Sequence, residues 1–188
     1  SGMPLMYFRK KTIASIEYDP YWNNVVLSMP MNSSISDLKG HTVTVGGATV
    51  DNTRLKFGSP TIRCVNGQNI SVTTGLSDFA YGSGDFTIEF WVYLGSGPND
   101  VTQTMFAQTN LSISLLDGIF YGAGNRRFIM SDGTSTWFIG GLVKADFVGV
   151  WRHVALSKAS GACRVFVDGV QRYMNTDASA NNNLAYAT

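Results

Sequence analysis

Charge is scarce in this chain of 188 residues: only 14% are charged, and the formal net charge is +1. So neutral a composition makes no field that would gather nucleic acid or an anionic lipid surface. The short Arg9-Lys10-Lys11 run reads as a solvated patch. Glutamate occurs only at Glu17 and Glu89, and histidine only at His41 and His153. The two cysteines, Cys64 and Cys163, show no CxxC spacing, so neither a zinc cluster nor a dithiol redox centre is signalled. Apolar neighbours (Ile62 and Val65; Val165 and Val167) make both read as free thiols buried in strands, with a disulfide between them the alternative. No apolar run approaches the ~20 residues a spanning helix needs, and the stretch from Met3 to Lys11 lacks the order of a signal peptide. Membrane insertion and a nucleic-acid partner are therefore not expected. Ser1-Gly2 reads as the remnant of a cleaved tag, and the three N-x-S/T sequons at Asn32, Asn69 and Asn110 read as incidental.

What is present is strand. Twenty glycines, with asparagine, serine and threonine, punctuate short β-branched and aromatic runs, and no window keeps a helical period over three turns. The pattern predicts strands over 24–29, 42–45, 49–50, 61–65, 70–73, 86–94, 104–107, 111–116, 119–121, 126–130 and 135–139. From Trp151 onward, Ser160-Gly161 and Asp168-Gly169 divide the chain into three antiparallel strands in succession. In 86–94, Phe86, Ile88, Phe90, Val92 and Leu94 share one face while Thr87, Glu89, Trp91 and Tyr93 share the other. That is the pattern of a central strand with one side in a core. Turn signals this regular mark a sandwich or barrel, and the expected fold is an all-β, antiparallel two-sheet β-sandwich.

Several segments also resemble a family. Gly82-Ser83-Gly84-Asp85 leading into Phe86-Thr87-Ile88-Glu89-Phe90-Trp91-Val92, then Trp151-Arg152-His153-Val154-Ala155, then Val165-Phe166-Val167-Asp168-Gly169, are similar to signatures of the laminin-G-like (concanavalin A-like) lectin domain, a jelly-roll β-sandwich. Asp19-Pro20-Tyr21-Trp22-Asn23-Asn24-Val25-Val26-Leu27 and Lys56-Phe57-Gly58 resemble the form found in bacteriophage structural proteins. The resemblance implies a laminin-G-like sandwich over 19–188, preceded by an extension over 1–18. Two departures stand out. Met31-Asn32-Ser33 replaces the family's usual Phe-Asp-Gly, and the family's closing strand has no counterpart before Thr188. An uncovered first strand would expose an apolar edge, so residues 7–18 or a neighbouring subunit are expected to cover it.

The motifs of catalysis are missing. Glucanases of this fold place carboxylates as E-x-D-x-x-E on one strand, and neither glutamate lies in such a motif. No G-x-S-x-G turn exists for a nucleophile, and His153 reads as a structural member of its strand. An enzyme is not expected. Sugar sites instead combine aromatic platforms with planar polar groups. Tyr121, Arg126, Arg127, Asp132 and Trp137 offer that mixture and are the candidate ligand-binding residues. Trp91 and Tyr93 form a second candidate platform. No cofactor is required; the metal ligands are unknown, with Asp37 and Asp177 the loop carboxylates that the family analogy offers to calcium. The expected role is a non-catalytic module of a phage virion, made in the bacterial cytoplasm, that recognises host-surface carbohydrate. The alternatives are a virion assembly protein, a homo-oligomer completed by strand exchange with other subunits, and, less favoured, a glycan hydrolase.

Overall fold

A computed structural model of the protein describes residues 20–30, 34–65, 67–80, 84–95, 103–108, 111–116, 127–131 and 136–175. These residues are mostly strand, with short 3-10 turns at Trp22–Asn24, Leu76–Phe79 and Lys144–Asp146. They fall into two compact units, divided between Phe79 and Ala80.

In the first unit, β1 (Val43–Gly46), β2 (Thr49–Lys56), β3 (Ser59–Arg63) and β4 (Asn69–Val72) form two antiparallel ladders, β1 with β4 and β2 with β3. From sequence, the polar Asp51-Asn52 pair predicts a turn after Val50. The chain stays a strand to Lys56 instead, and the polar pair produces a register shift between Asp51 and Lys56. Asp51 is the cause. Its carboxylate accepts from the Thr53 amide at 2.7 Å, the Thr53 hydroxyl at 2.5 Å, the Arg54 amide at 3.3 Å and the Arg54 guanidinium at 3.0 Å. A side chain that bonds the backbone just ahead of it kinks the strand without ending it. The hairpin then closes at Phe57 and Gly58, with φ of 53° and 74°, the left-handed pair that matches strand twist.

The strand expected over 24–29 is not among the described ladders. Trp22–Asn24 makes a 3-10 turn and Val25 follows with extended backbone (φ −77°, ψ 121°). Apolar β-branched residues set an extended backbone, but only a ladder partner makes it a strand.

The second unit contains β5 (Phe86–Tyr93), β6 (Gln103–Gln108), β7 (Leu111–Leu116), β8 (Arg127–Ser131), β9 (Thr136–Val143), β10 (Trp151–Ala159), β11 (Ala162–Val167) and β12 (Val170–Asn175). One antiparallel sheet runs β12-β11-β10-β5 and the other β6-β7-β8-β9. Within the first, Phe90 stands opposite Val154 and Ile88 opposite Leu156, while Val154 and Leu156 face Val167 and Val165 on β11. Strand alternation thus gathers Phe86, Val154, Leu156, Cys163, Val165 and Val167 on one side, around a fully enclosed Phe147. Met105 and Phe106 of β6 pack on this core. They are consecutive, and the register shift between Thr104 and Phe106 is the bulge that lets both turn inward. The result is the expected antiparallel β-sandwich.

The same parity carries Lys158 inward. It is 2% exposed, and its Nζ has no hydrogen-bond partner among the described residues. Ser160-Gly161 and Asp168-Gly169 adopt paired positive φ (50° and 75°; 51° and 76°), as their sequences predict. Among the described residues β5 stands last in its sheet order, where its pattern suggested a central strand.

Candidate functional site

Side chains that do not enter the core of a two-layer sandwich form its outer face. On β5 these are Thr87, Glu89, Trp91 and Tyr93, and on β10 Trp151, His153, Ala155 and Ser157. The ladder sets them in rows: Tyr93 beside Trp151, Trp91 beside His153, Glu89 beside Ala155, Thr87 beside Ser157. Two rows are therefore aromatic and two are small or polar. The Trp91 and His153 rings lie 5.1 Å apart at 47°, and the Tyr93 and Trp151 rings 5.5 Å apart at 57°. Tilted pairs at this spacing suit ring quadrupoles and fix the rings in place.

Trp91 is 40% exposed, unusual for so large an apolar group on a sheet. Glu89, its side chain 64% exposed, brings a carboxylate oxygen within 3.5 Å of His153 Nε2. The next row holds Thr87, whose hydroxyl donates to Ser157 at 3.4 Å. Stacking surface, an acceptor and hydroxyls thus share one face.

The turn after β11 holds this face in register. Asp168 accepts the His153 amide at 2.9 Å and the Arg152 guanidinium at 2.6 Å, while its own amide donates to the His153 carbonyl at 2.9 Å. Burial pushes the Asp168 carboxyl upward. The His153 amide and the Arg152 guanidinium outweigh it, so the group stays below the usual aspartate range. Arg152 also donates to the Asp146 carbonyl at 2.7 Å. At the other end of the sheet, Asp85 accepts the Ser160 amide at 3.0 Å.

In the first unit, Asp37 accepts the Ser28 amide at 2.8 Å and the His41 amide at 3.1 Å, and meets His41 Nδ1 at 2.6 Å. His41 Nε2 lies 3.1 Å from Asp78. Burial raises the Asp37 carboxyl, but the Ser28 amide, the His41 ring and further backbone amides bring it below the ordinary value. His41 is raised, first by its bond to Asp37 against the opposing effect of burial, with Asp78 adding to the rise. Both Asp37 oxygens thus already serve nitrogen donors, which compete with any cation for the same lone pairs. Among the described residues no cluster of three or more His, Cys, Asp or Glu is arranged to hold a metal.

Of the residues expected to bind ligand, Arg127 falls on β8 and Trp137 on β9. Tyr121, Arg126, Asp132 and the metal candidate Asp177 lie outside the described residues, as does the extension over 1–18. Trp91 and Tyr93 do stand together on the outer face. Sequence reading missed that Trp151 and His153 join them, although strand parity and the antiparallel succession carried that signal. Cys163 is buried as expected, whereas Cys64 is exposed and follows β3 rather than lying in it. Among the described residues no helix is long and apolar enough to cross a membrane.

Comparison with solved structures finds domain 4 of AbnA, a GH43 extracellular arabinanase from Geobacillus stearothermophilus, in complex with arabinotriose. It is 19% identical, with a TM-score of 0.50 over 77% of this chain and 70% of that one. At that identity the likeness speaks for the fold alone. No curated protein matches the sequence. A family model described as the concanavalin A-like lectin/glucanases superfamily matches residues 66–187, well over half of the chain and every strand of the second unit. The alternating β5, the β10–β12 ladder with its two tight turns and this match agree, and the chain belongs to the concanavalin A-like lectin/glucanase superfamily.

Proposed function

We propose that the chain is a non-catalytic carbohydrate-binding module that adsorbs glycan on the outer face of β5 and β10. One observation carries the reading: an exposed Trp91, steadied by His153, beside the Glu89 carboxylate. An indole face covers the apolar side of a sugar ring, and a carboxylate accepts from its hydroxyls. Hydrolysis asks for two carboxylates flanking the bond; Glu89 here has aromatic rings, an imidazole and hydroxyls beside it. The similar arabinanase domain was solved with arabinotriose, which supports sugar as the ligand class. The segment bearing Tyr121, Arg126, Arg127, Asp132 and Trp137 is a second contact region in this proposal.

The setting we propose is a phage virion, on the strength of the sequence resemblance to laminin-G-like modules of phage structural proteins. There, weak sites repeated over a particle bind a host surface through avidity. A glycan array that includes arabinotriose tests the reading. The wild type should bind, and Trp91→Ala should lose most of the signal while keeping its fold; Arg126→Ala and Trp137→Ala report on the second region. A parallel array with a chelator reads any calcium contribution. Folded protein that binds no glycan would sink the reading, and mass spectrometry of purified particles tests the virion setting.

A further inference from the structure

We infer that this face takes an internal stretch of a neutral glycan chain, seated in two adjacent sugar subsites along β5, rather than one terminal sugar; the inference rests on the carbohydrate reading above. The geometry is a two-by-two grid of rings. Trp91 and Tyr93 are two residues apart on the same face of one strand, which separates them by about 7 Å. Their partners His153 and Trp151 stand directly across the ladder, with ring centroids at 5.1 and 5.5 Å. One sugar ring covers one row of this grid and leaves the next row wet. A second ring, joined to the first along the strand, covers the second row without a new cost of translational freedom. Among the described residues, Trp91 is exposed and Tyr93, Trp151 and His153 are half-buried, so both rows offer ring surface to a chain that lies along the strand.

Charge narrows the ligand further. His153, on the Trp91 row, and Glu89, on the adjoining row, face each other at 3.5 Å. Beyond them, Arg152 is paired with Asp168 at 2.6 Å, and Arg164 lies two rows away, opposite Ser157. The outer face of β5 and β10 thus presents an acceptor carboxylate and, among its described residues, no lysine or arginine on those two rows to meet an acidic sugar. A hydroxyl donor is welcomed and a sugar carboxylate or sulfate is repelled.

The test is a titration series on the folded chain, using 1,5-linked arabinose and 1,4-linked glucose oligosaccharides of rising length, with 1,4-linked galacturonate as the acidic counterpart. The dissociation constant should fall by about tenfold or more from monosaccharide to disaccharide and then level off. Tyr93→Ala should flatten that dependence, weakening the disaccharide by more than it weakens the monosaccharide. Galacturonate oligomers should bind more weakly than neutral ones, and Glu89→Gln should narrow the gap. The wild-type length series stands even if Tyr93→Ala fails to fold. A positive array with a flat length series, with neither neutral series bound, or with galacturonate preferred overturns this inference alone. A silent array together with silent titrations overturns the carbohydrate reading as well.

Discussion

In the unit that ends at Phe79, the side chains withdrawn from water are, Ala48 apart, conspicuously polar: Asp37 and His41 are 0% and 6% exposed, and Asp51 is buried at its bulge. In the unit that begins at Ala80, they are Phe147, Val154, Leu156, Cys163 and Val165, with Lys158 the polar exception. The first unit's described ladders are two-stranded, a form with little stability of its own. Directional bonds to carboxylates fasten it. The second has two four-stranded sheets with an apolar interior, and burial area fastens it. One unit should therefore answer to pH and hydrogen-bond chemistry, the other to side-chain volume.

The sharpest way to separate them is volume. Leu156→Ala removes a fully enclosed side chain and should cost ~2–5 kcal/mol in a urea melt; a loss within experimental error would mean the interior is not the close-packed core described. Asp37→Asn comes next. It puts an amide where three nitrogen donors converge and should cost ~1–3 kcal/mol, read from the amide NMR signals of residues 25–45. Signals disturbed equally across both units would erase the contrast.

The pH dependence follows from the same bonds. His41 has a raised folded value, so its contribution is complete below the unfolded value of about 6.5 and fades as pH rises through the folded one. Asp51 is held down at about 2, chiefly by the Thr53 hydroxyl and amide. Its contribution is complete above about pH 4 and is lost as pH falls through the folded value. The first unit should thus loosen at both ends of a pH series, while the second, where the lowered Asp168 carboxyl adds an acid-side loss of its own, holds as pH rises through the histidine range. A second unit that loosens in that range while the first holds would refute the division. The smallest effect is chemical. Burial pushes the Cys163 thiol up to about 11, whereas Cys64 is exposed, so a thiol reagent should label Cys64 first and Cys163 only on unfolding.

Local codes were the legible ones. Period-two alternation located β5, and Ser160-Gly161 and Asp168-Gly169 located the breaks in the β10–β12 ladder, because each is decided by a few adjacent residues. β2 was not legible. Asp51 and Asn52 carry turn chemistry, and only the three-dimensional fit shows the Asp51 carboxylate bending a strand rather than ending it. The bridge from Asp37 through His41 to Asp78 spans 37 residues in its second half, beyond any local pattern. The outer-face grid lay between these cases. Each strand's faces were readable singly, but which ring meets which depends on register.

Register is a matter of counting, and the count is kept at Asp168. A strand is a parity code in which odd and even positions go to opposite sides. Asp168 and Gly169 fix where that count begins for the returning strand, and three bonds between Asp168 and its neighbours Arg152 and His153 lock the choice. Were β10 to slip by one residue, Val154 and Leu156 would meet water and Trp151 and His153 would turn toward the core. Such a slip would not alter the outer face gradually. It would exchange the inside of the sandwich for the outside, and a proposed lectin face would become an aggregation seam.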